Sequence, residues 1–373
     1  MPDWKPPDMT ALPTRKLEAW RYTDLRALSS IEFSAPPPTG VPTLPELALP
    51  RLVFMNGAFA AELSSPLAFS QNFAAVAEES AQPLALINAE QAHDGTTLHI
   101  PAGTDAGTVL LISHASGAEP FAFHLRHRIT LGDGARLTLI EIAKGDGVYW
   151  HNPVTDITLE HGAALAHIRL QDESREAFHL ATIRARMAEA ASYEHFTATI
   201  GAKLSRTEIH ATLAGPGALV HLNAAQLLKD TQHGDFTTVV AHKAPSCASR
   251  QTVKSVLADT ARGVFQGRIE VDRVAQKTDG FQLSQALLLS PGAEMDIKPE
   301  LEIFADDVKC SHGATIGALD EDQVFYLRSR GIPEAQARSL LIRAFLEEAL
   351  EPVAQPDAKA LLEAAIDNWW VKQ

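Results

Sequence analysis

The sequence predicts a mainly β fold in which a parallel β-helix lies between helical N-terminal and C-terminal regions. From about Thr96, short β-rich runs such as RLTLIEIA alternate with turns of Gly, Asp and Pro. The segment ITLGDGARL, which begins at Ile129, recurs as ITLEHGAAL at Ile157, 28 residues later. Stacked units of strand, tight turn and strand bury a continuous apolar stripe, which is how solenoids gain stability.

Weaker copies extend the repeat. RMAEAASYE places Ala190 28 residues beyond Gly162, Gly217 follows 27 residues later, and Gly292 stands a further 75 residues on, about three periods away. A unit of this length is too long for a hairpin meander, and it holds no helix of the βαβ type. The alternative is an antiparallel sandwich with coincidental turn spacing, which turn signals alone do not exclude.

The first region, residues 1–95, is predicted to be mostly helical and to contain a proline-rich linker. TRKLEAWRYTDLRAL suits a short amphipathic helix capped by Thr14. Residues 35–50 contain too many prolines for regular structure and therefore form the linker. RLVFMNGAF predicts a strand that ends at an Asn56–Gly57 turn, and residues 72–92 favour a helix. The β-helix core is placed at residues 96–318.

The C-terminal region, residues 319–373, is predicted to be helical. LDEDQVFYLRSRG has acidic residues first and arginines last, the order that suits a helix dipole, and Gly331 ends the helix. The next helix begins at Pro333, and its apolar stripe consists of Leu340, Leu341, Ala344 and Phe345. A last helix ends in the Trp-Trp pair of DNWWV. This appended region either docks on its own neighbours or offers an apolar face to another protein.

Charge and composition exclude several classes of function. The chain has 32 basic and 46 acidic side chains, a formal net charge of -14, which argues against nucleic acid or an anionic membrane as the main partner. No segment reaches the ~18 apolar residues of a membrane span, and the N-terminus lacks the apolar core of a signal peptide. The two cysteines make no disulfide framework. We therefore expect a cytoplasmic protein.

Cys310 and His312 are the candidate metal-binding pair. They stand two residues apart in KPELEIFADDVKCSHGATIG, residues 298–317, whose near-alternation of apolar and charged residues predicts a strand. Side chains two apart on a strand share one face, so a thiolate and an imidazole can address one soft metal centre. They supply half of a tetrahedral shell, and the other ligands must come from elsewhere or from another chain. The alternative is a pair of structural side chains.

Other candidate residues carry less specific signals. Cys247 in HKAPSCASRQ is interpreted as a buried small apolar side chain. Asp306 and Asp307 suggest a rival function, a polysaccharide-active β-helix enzyme with acidic general bases. A loose group of histidines has spacings of 11, 12 and 9, which match no compact ligand pattern, and its members are interpreted as surface or ladder residues. These are His210, His221, His233 and His242.

Several catalytic motifs are missing from the sequence. It contains no GxxxxGK[ST], GxSxG or HExxH motif and no dinucleotide-binding GxGxxG after a strand. The chain is therefore not expected to hydrolyse nucleotides by itself.

A long segment carries a specific family resemblance. GVFQGRIEVDRVAQKTDGFQLSQALLLSPGAEMDIKPELEIFADDVKCSHGATIGALDEDQVFYLRSRGI, from Gly263 to Ile332, closely resembles the core of the SufB/SufD family, scaffold proteins of the SUF iron–sulfur cluster assembly system. Weaker similarity at RKLEAWRYTDL, LVFMNGAF and LLIRAFLEE extends it over most of the chain. KCSHGATIG and FYLRSRGI resemble the SufD form, whereas SufB chains are longer and carry further cysteines that are missing here.

The resemblance implies a right-handed parallel β-helix and a non-enzymatic, SufD-like scaffold subunit. It implies two partners, a SufB-like paralogue and a SufC-like ABC-type ATPase that binds the C-terminal helical region. The family's contribution to cluster formation falls on His312, with Cys310 beside it at the SufB-facing interface. An Fe–S cluster would form there transiently, and this chain alone would bind no cofactor tightly. The alternative is a purely structural subunit in which neither residue is a ligand.

Two further expectations concern the isolated chain. Nothing in the sequence resembles a flavin site. The exposed edge at the end of a β-helix permits a homodimer of the isolated chain.

Overall fold

The structure is a computed structural model, which describes residues 4–38, 42, 44–73 and 82–371. Its core is a parallel β-solenoid of about eight turns, with short N-terminal elements and C-terminal helices. The strands are β1 (Arg51–Met55), β2 (Ala58–Phe59), β3 (Ser70–Asn72), β4 (Thr96–Ile100), β5 (Asp105–Ser116), β6 (Phe121–Phe123), β7 (Arg126–Leu131), β8 (Arg136–Asp146), β9 (Tyr149–His151), β10 (Val154–Leu159), β11 (Ala164–Asp172), β12 (Phe178–Met187), β13 (Ser192–Thr199), β14 (Leu204–Leu213), β15 (Leu219–Leu228), β16 (His233–His242), β17 (Ala248–Leu257), β18 (Arg262–Val271), β19 (Asp279–Leu288), β20 (Glu294–Ile303) and β21 (Lys309–Gly317). The α-helices are α1 (Arg26–Ser29), α2 (Pro83–Gln91), α3 (Glu321–Ser329), α4 (Glu334–Leu350) and α5 (Pro356–Val371).

Two sheets form the walls of the solenoid. One has ten strands in the order β2-β1-β5-β8-β11-β13-β15-β17-β19-β21. The other has eleven strands and follows β20-β18-β16-β14-β12-β10-β7-β4-β3, with β6 and β9 beside this path. Among the described strands the pairs are parallel, apart from the antiparallel pairs β1–β2 and β3–β4. The predicted parallel β-helix is confirmed, and the antiparallel sandwich is wrong.

The 28-residue repeat corresponds to one turn of the solenoid. Ile129 on β7 pairs directly with Ile157 on β10. The tight turns that follow these strands contain Gly134 and Gly162, both with φ of 65°. Ala190, with φ of 55°, takes the same left-handed conformation one turn later. Sequence similarity between the copies therefore reflects equivalent positions in successive turns.

Later turns of the solenoid are longer. The tight turns stack in two columns, one on each side of the solenoid, and Gly292 does not lie in the column that the sequence repeat predicted for it. Arg262 pairs with Glu294, a step of 32 residues. The column that contains Gly217, between β14 and β15, continues at Ser246 and Lys277, which also have positive φ. Gly292 lies between β19 and β20, on the other side of the solenoid. The 75-residue interval to Gly292 is therefore not a whole number of turns, because each turn of the solenoid contains two tight turns.

An aliphatic ladder shows how the turns are held together. In-register positions of six successive strands of the eleven-stranded sheet point into the interior and are at most 3% exposed. Each fully buried Ile or Val contributes about 1.5–3 kcal/mol relative to an exposed side chain. The residues of this ladder are Ile129, Ile157, Ala185, Ala211, Val240 and Ile269.

The N-terminal region is less helical than predicted. Instead of one amphipathic helix after Thr14, it has a 3₁₀ helix at Glu18–Trp20 and the single-turn helix α1. The reason is tertiary contact, because the buried Trp20 ring packs under the guanidinium of Arg206 at 4.1 Å. Gln266 on β18 also donates a hydrogen bond to the Ala19 carbonyl at 3.1 Å. This segment therefore follows the face of the eleven-stranded sheet.

The rest of the N-terminal region agrees more closely with the sequence. The described residues between 35 and 50 are in no helix or strand. Asn56 and Gly57 have φ of 47° and 80° and connect β1 to β2, as predicted. Of the helix predicted at residues 72–92, α2 forms the part Pro83–Gln91, whereas Asn72 lies in β3. Residues 74–81 lie outside the described part of the chain.

The C-terminal helices pack on the outer face of the ten-stranded sheet. On α4 the buried positions are Ala337, Ile342, Leu346, Ala349 and Leu350. The predicted stripe is therefore displaced, since Leu340 is 49% exposed. On α5, Trp369 is 2% exposed and joins the same apolar cluster. Among the described residues, no helix is long and apolar enough to cross a membrane.

Candidate functional site

The last turn of the solenoid has two free edges. β20 ends the eleven-stranded sheet, and β21 ends the ten-stranded sheet. Most residues of β20 and β21 are exposed or half-buried, in contrast to the buried strands of the middle turns. Apolar side chains are exposed here, with Ile303 at 39%, Phe304 at 66% and Ile316 at 49%. An edge strand offers unpaired backbone N–H and C=O groups, so this end of the solenoid is suited to pairing with another chain.

Cys310 and His312 lie on this last turn. Both are on β21, where they pair in register with Gly280 and Gln282 of β19. Cys310 is half-buried against a small apolar cluster that includes Ile269. A Cβ added at Gly280 would lie 3.3 Å from its Sγ atom, so the glycine gives the sulfur space. His312 is exposed.

The Cys310 thiol is protonated at neutral pH in the isolated chain. Burial raises its pKa, and the nearby carboxylate of Asp279 raises it further. A soft metal ion that binds the sulfur therefore has to displace a proton, as thiolate ligation requires.

Gln282, the in-register neighbour of His312 on β19, is buried in the interior of the solenoid. It is 0% exposed, and neither its Oε1 nor its Nε2 atom has a hydrogen-bond partner among the described residues. The hydroxyl of Ser284, two residues further along β19, is also buried without a partner. Buried polar groups without partners are uncommon and destabilising. The layer directly below His312 is therefore polar.

The pair of Cys310 and His312 can supply two ligands to a soft metal centre. Two residues apart on β21, their side chains share one face of the strand. The half-shell predicted from the sequence thus lies at a free edge, where ligands from a second chain have access.

Among the described residues, none of the other predicted residues joins Cys310 and His312 in a group of three or more possible ligands. Cys247 is buried in the main core, its thiol donates to the Gly215 carbonyl at 3.3 Å, and burial raises its pKa. Asp306 is exposed, and Asp307 forms an ion pair with Lys277. The charge of Asp307 is therefore compensated by a lysine.

The four clustered histidines lie on the three strands β14, β15 and β16, and each has a separate partner. His210 contacts Glu208 at 2.7 Å, and His221 contacts Glu194 at 2.9 Å. His233 lies 3.0 Å from the Thr23 hydroxyl, and His242 lies 2.9 Å from the Ser249 hydroxyl. The structure does not assemble them into a ligand set. Each histidine instead contacts a polar side chain next to it, as expected of residues at the surface or in a row along the stacked strands.

A buried polar network inside the solenoid was missed. Glu141 Oε1 accepts from Arg169 Nη2 at 3.0 Å, and its Oε2 lies 3.0 Å from His167 Nε2. Burial opposes ionisation of Glu141, but the charge of Arg169 and the hydrogen bond with His167 hold its pKa well below the usual range. Burial lowers the pKa of His167. The available signal was a charged residue inside an apolar run, as in RLTLIEIA and AHIRLQD.

Comparison with known proteins gives the family. The family model described as SUF system FeS cluster assembly, SufBD core domain, matches residues 112–345. The chain belongs to the SufBD family. The matched SufBD segment contains most of the solenoid, the pair Cys310 and His312, and the helices α3 and most of α4.

Relatives in this family cover nearly the whole chain. Iron-sulfur cluster assembly protein SufD of Escherichia coli is 32% identical, over 96% of this chain and 89% of its own length. An iron-sulfur cluster assembly SufBD family protein of Synechocystis sp. is also 32% identical, over 92% of this chain and 84% of its own length. The resemblance seen in the sequence is thus confirmed, and the chain is a SufBD-family protein of the SUF system for Fe–S cluster assembly.

Proposed function

We propose that this chain is a SufD-type, non-catalytic scaffold subunit that pairs with a SufB-type chain through its last solenoid turn. Cys310 and His312 would face that partner, and Fe–S clusters would form transiently between the two chains. The observation that carries the proposal is the coincidence, on one turn, of two free sheet edges, exposed apolar side chains and a Cys–His pair.

The free edges favour a partner that is itself a solenoid. β20 and β21 lie side by side at the end of the two sheets, so a paralogue with the same cross-section can extend both sheets at once. Ile303, Phe304 and Ile316 would lose their exposed apolar area in that contact. The same edges permit a homodimer when the isolated chain has no partner.

The ligand chemistry requires the second chain. One thiolate and one imidazole complete half of a tetrahedral shell, and iron–sulfur clusters prefer soft ligands. A site shared between two chains is complete only while the chains are in contact, so movement at the interface can admit or release its contents. The iron, sulfide and assembled cluster are the cargo of this site.

The C-terminal helices supply a surface for the SufC-type ATPase. Phe325 and Tyr326 on α3 are 70% and 55% exposed, and Leu340 on α4 is 49% exposed. Aromatic and apolar side chains of this kind serve as anchors in protein interfaces. The opposite face of α4 is held on the ten-stranded sheet by Leu346, which is 0% exposed. A movement of the ATPase would thus be transmitted to the solenoid.

Co-purification tests the interface. We expect Ile316→Glu to abolish recovery of the SufB-type chain when the three subunits are co-expressed and this chain carries the affinity tag. A buried carboxylate without a partner is strongly unfavourable at an interface. Leu219→Glu is the matched control, because Leu219 is 41% exposed on β15, in the middle of the same sheet. Normal recovery with Ile316→Glu would place the partner elsewhere.

A further inference from the structure

A second set of metal-binding side chains lies inside the solenoid, away from the last turn. His151 on β9 and His179 on β12 are in-register neighbours on adjacent parallel strands, and Glu173 follows β11. All three side chains are buried, and each offers one ligand atom within 4.8 Å of the other two. Parallel pairing brings together two imidazoles and a carboxylate whose sequence spacing matches no ligand motif.

Glu173 bridges the two imidazoles. Its Oε1 lies 2.9 Å from His151 Nδ1, and its Oε2 lies 2.6 Å from His179 Nδ1. The second contact lacks the geometry of a hydrogen bond, since His179 Nδ1 has no hydrogen-bond partner among the described residues. The nitrogen and the oxygen are therefore in close contact without a well-aligned hydrogen bond.

Further buried polar atoms next to Glu173 lack partners. Gln171 Nε2 donates to Glu173 Oε2 at 3.0 Å, but Gln171 Oε1 has no hydrogen-bond partner among the described residues. The same holds for His151 Nε2. Buried acceptors without donors are destabilising, and carbonyl oxygens and imidazole nitrogens are metal ligands. A flip of the Gln171 amide would turn its carbonyl oxygen, in place of its amide nitrogen, toward Glu173 and make it a candidate fourth ligand.

Glu173 also lacks a fixed cation, in contrast to Glu141. Glu141 pairs with Arg169 at 3.0 Å, whereas the ion pairs of Glu173 within the described residues are with His151 and His179 alone. Arg169 Nη2 lies 3.3 Å from His179 Nε2, but the charge of Arg169 is already matched by Glu141. A buried carboxylate is stable when a cation or a metal ion compensates it.

We propose that His151, Glu173 and His179 form a structural site for one divalent first-row transition ion. Two imidazoles and one carboxylate are a donor set that such ions accept. Coordination at about 2.1 Å in a tetrahedral shell separates ligand atoms by roughly 3.4 Å. Each of the two nitrogen–carboxylate contacts must therefore open by less than about 1 Å, while the two imidazole nitrogens, which lie within 4.8 Å of one another, come to the same separation. Because the site is fully buried, the ion enters during folding, and it ties β9 and β12 to the turn after β11.

Metal analysis of the full-length chain tests this site. The chain is unfolded in guanidinium with EDTA, freed of both, and refolded with Co²⁺ as the probe. We expect close to one Co²⁺ per chain, visible by its d–d absorption and retained against EDTA after folding. Adding Co²⁺ to the already folded metal-free chain should give little uptake, because the ligands are buried.

Variants locate the ion. His151→Gln and Glu173→Gln should each lose the absorption band and the bound cobalt. His195→Gln is the matched control, because His195 is 2% exposed in the same interior and hydrogen-bonds to Tyr193 and Thr197. It should bind as much cobalt as the wild type.

If these variants do not fold, the wild-type chain alone still tests whether the site binds an ion. Two negative results together would overturn the proposal. In the first, the refolded wild-type chain binds no stoichiometric cobalt. In the second, chain purified from metal-supplemented cells retains no zinc, iron or manganese. Equal cobalt in the wild type and in folded Glu173→Gln would overturn it as well, since the ion would then be elsewhere. Neither result depends on the partner chains.

Discussion

Replacing His242 by Gln should make the protein more resistant to acid. His242 is 0% exposed at the end of β16, and its Nε2 lies 2.9 Å from the Ser249 hydroxyl. Burial lowers the pKa of His242 from 6.5 to about 4. Between these two values the unfolded chain binds a proton that the folded chain excludes. The stability that this neutral imidazole contributes is therefore complete above pH 6.5 and is lost as the pH falls toward 4.

The size of the effect follows from the shift of the pKa. One unit corresponds to about 1.4 kcal/mol, so at pH 5 the protonation of His242 in the unfolded chain lowers the free energy of unfolding by about 2 kcal/mol. Between pH 6 and pH 5 the slope is about 1 kcal/mol per pH unit from this group alone. Gln keeps a polar side chain of similar length next to Ser249 but does not titrate.

Urea unfolding followed by tryptophan fluorescence measures this. From pH 8 to pH 5, the free energy of unfolding of wild type should fall by about 2 kcal/mol more than that of His242→Gln. His161→Gln, at an exposed position, is the control and should show the wild-type slope. If His242→Gln and wild type lose stability in parallel over this range, the burial argument for His242 is wrong.

Further predictions concern docking of the terminal segments and the two cysteines. Arg206→Met should lower the free energy of unfolding by about 3–5 kcal/mol in urea titrations, because it leaves the carboxylates of Asp235 and Glu208 without their buried partner. Leu346→Ala should cost about 2–5 kcal/mol and reduce recovery of the SufC-type ATPase, since it loosens α4 from the sheet. Cys247→Ala should leave the iron content of the co-expressed complex unchanged, as measured by metal analysis. Cys310 in the folded chain should react with iodoacetamide at pH 7.5 more slowly than in the unfolded chain, because burial raises its pKa.

Matched variants identify the results that would contradict these expectations. Arg250→Met removes an exposed ion pair with Asp279 and should change stability by less than about 1 kcal/mol, so an equal loss in both arginine variants would argue against the buried contact. Leu340→Ala should be neutral for stability, because Leu340 is 49% exposed. Loss of iron in Cys247→Ala, or equal alkylation rates of Cys310 in folded and unfolded chain, would contradict the roles given to the two cysteines.

The solenoid was predictable because its signals are local and repeated. Ile129 and Ile157 occupy equivalent positions 28 residues apart, and the structure pairs them directly. Turn residues with positive φ, such as Gly162, mark each unit. The position predicted for Gly292 in the repeat was wrong, because each solenoid turn contains two tight turns and the sequence repeat does not distinguish them. Glycines of the two columns of tight turns therefore look alike in the sequence.

Long-range contacts explain the remaining differences. The helix predicted after Thr14 is divided into short pieces because Trp20 packs against Arg206, which lies far away in the sequence. The stripe of α4 is displaced because the sheet determines which helical face is buried. His151 and His179 meet only through strand pairing, and their spacing in the sequence carries no such signal. The prediction for Cys310 and His312 needs no tertiary information, because side chains two residues apart on one strand share a face.

The role of His312 in cluster formation is measured by the iron and acid-labile sulfide content of the anaerobically purified complex, in which this chain is co-expressed with its SufB-type and SufC-type partners. His312→Ala is compared with wild type and with His221→Ala, a half-buried histidine in the middle of the ten-stranded sheet. We expect an intact complex with much less iron and sulfide for His312→Ala alone. Unchanged iron and sulfide in an intact His312→Ala complex would contradict this expectation, and would place the ligand chemistry on the partner chain.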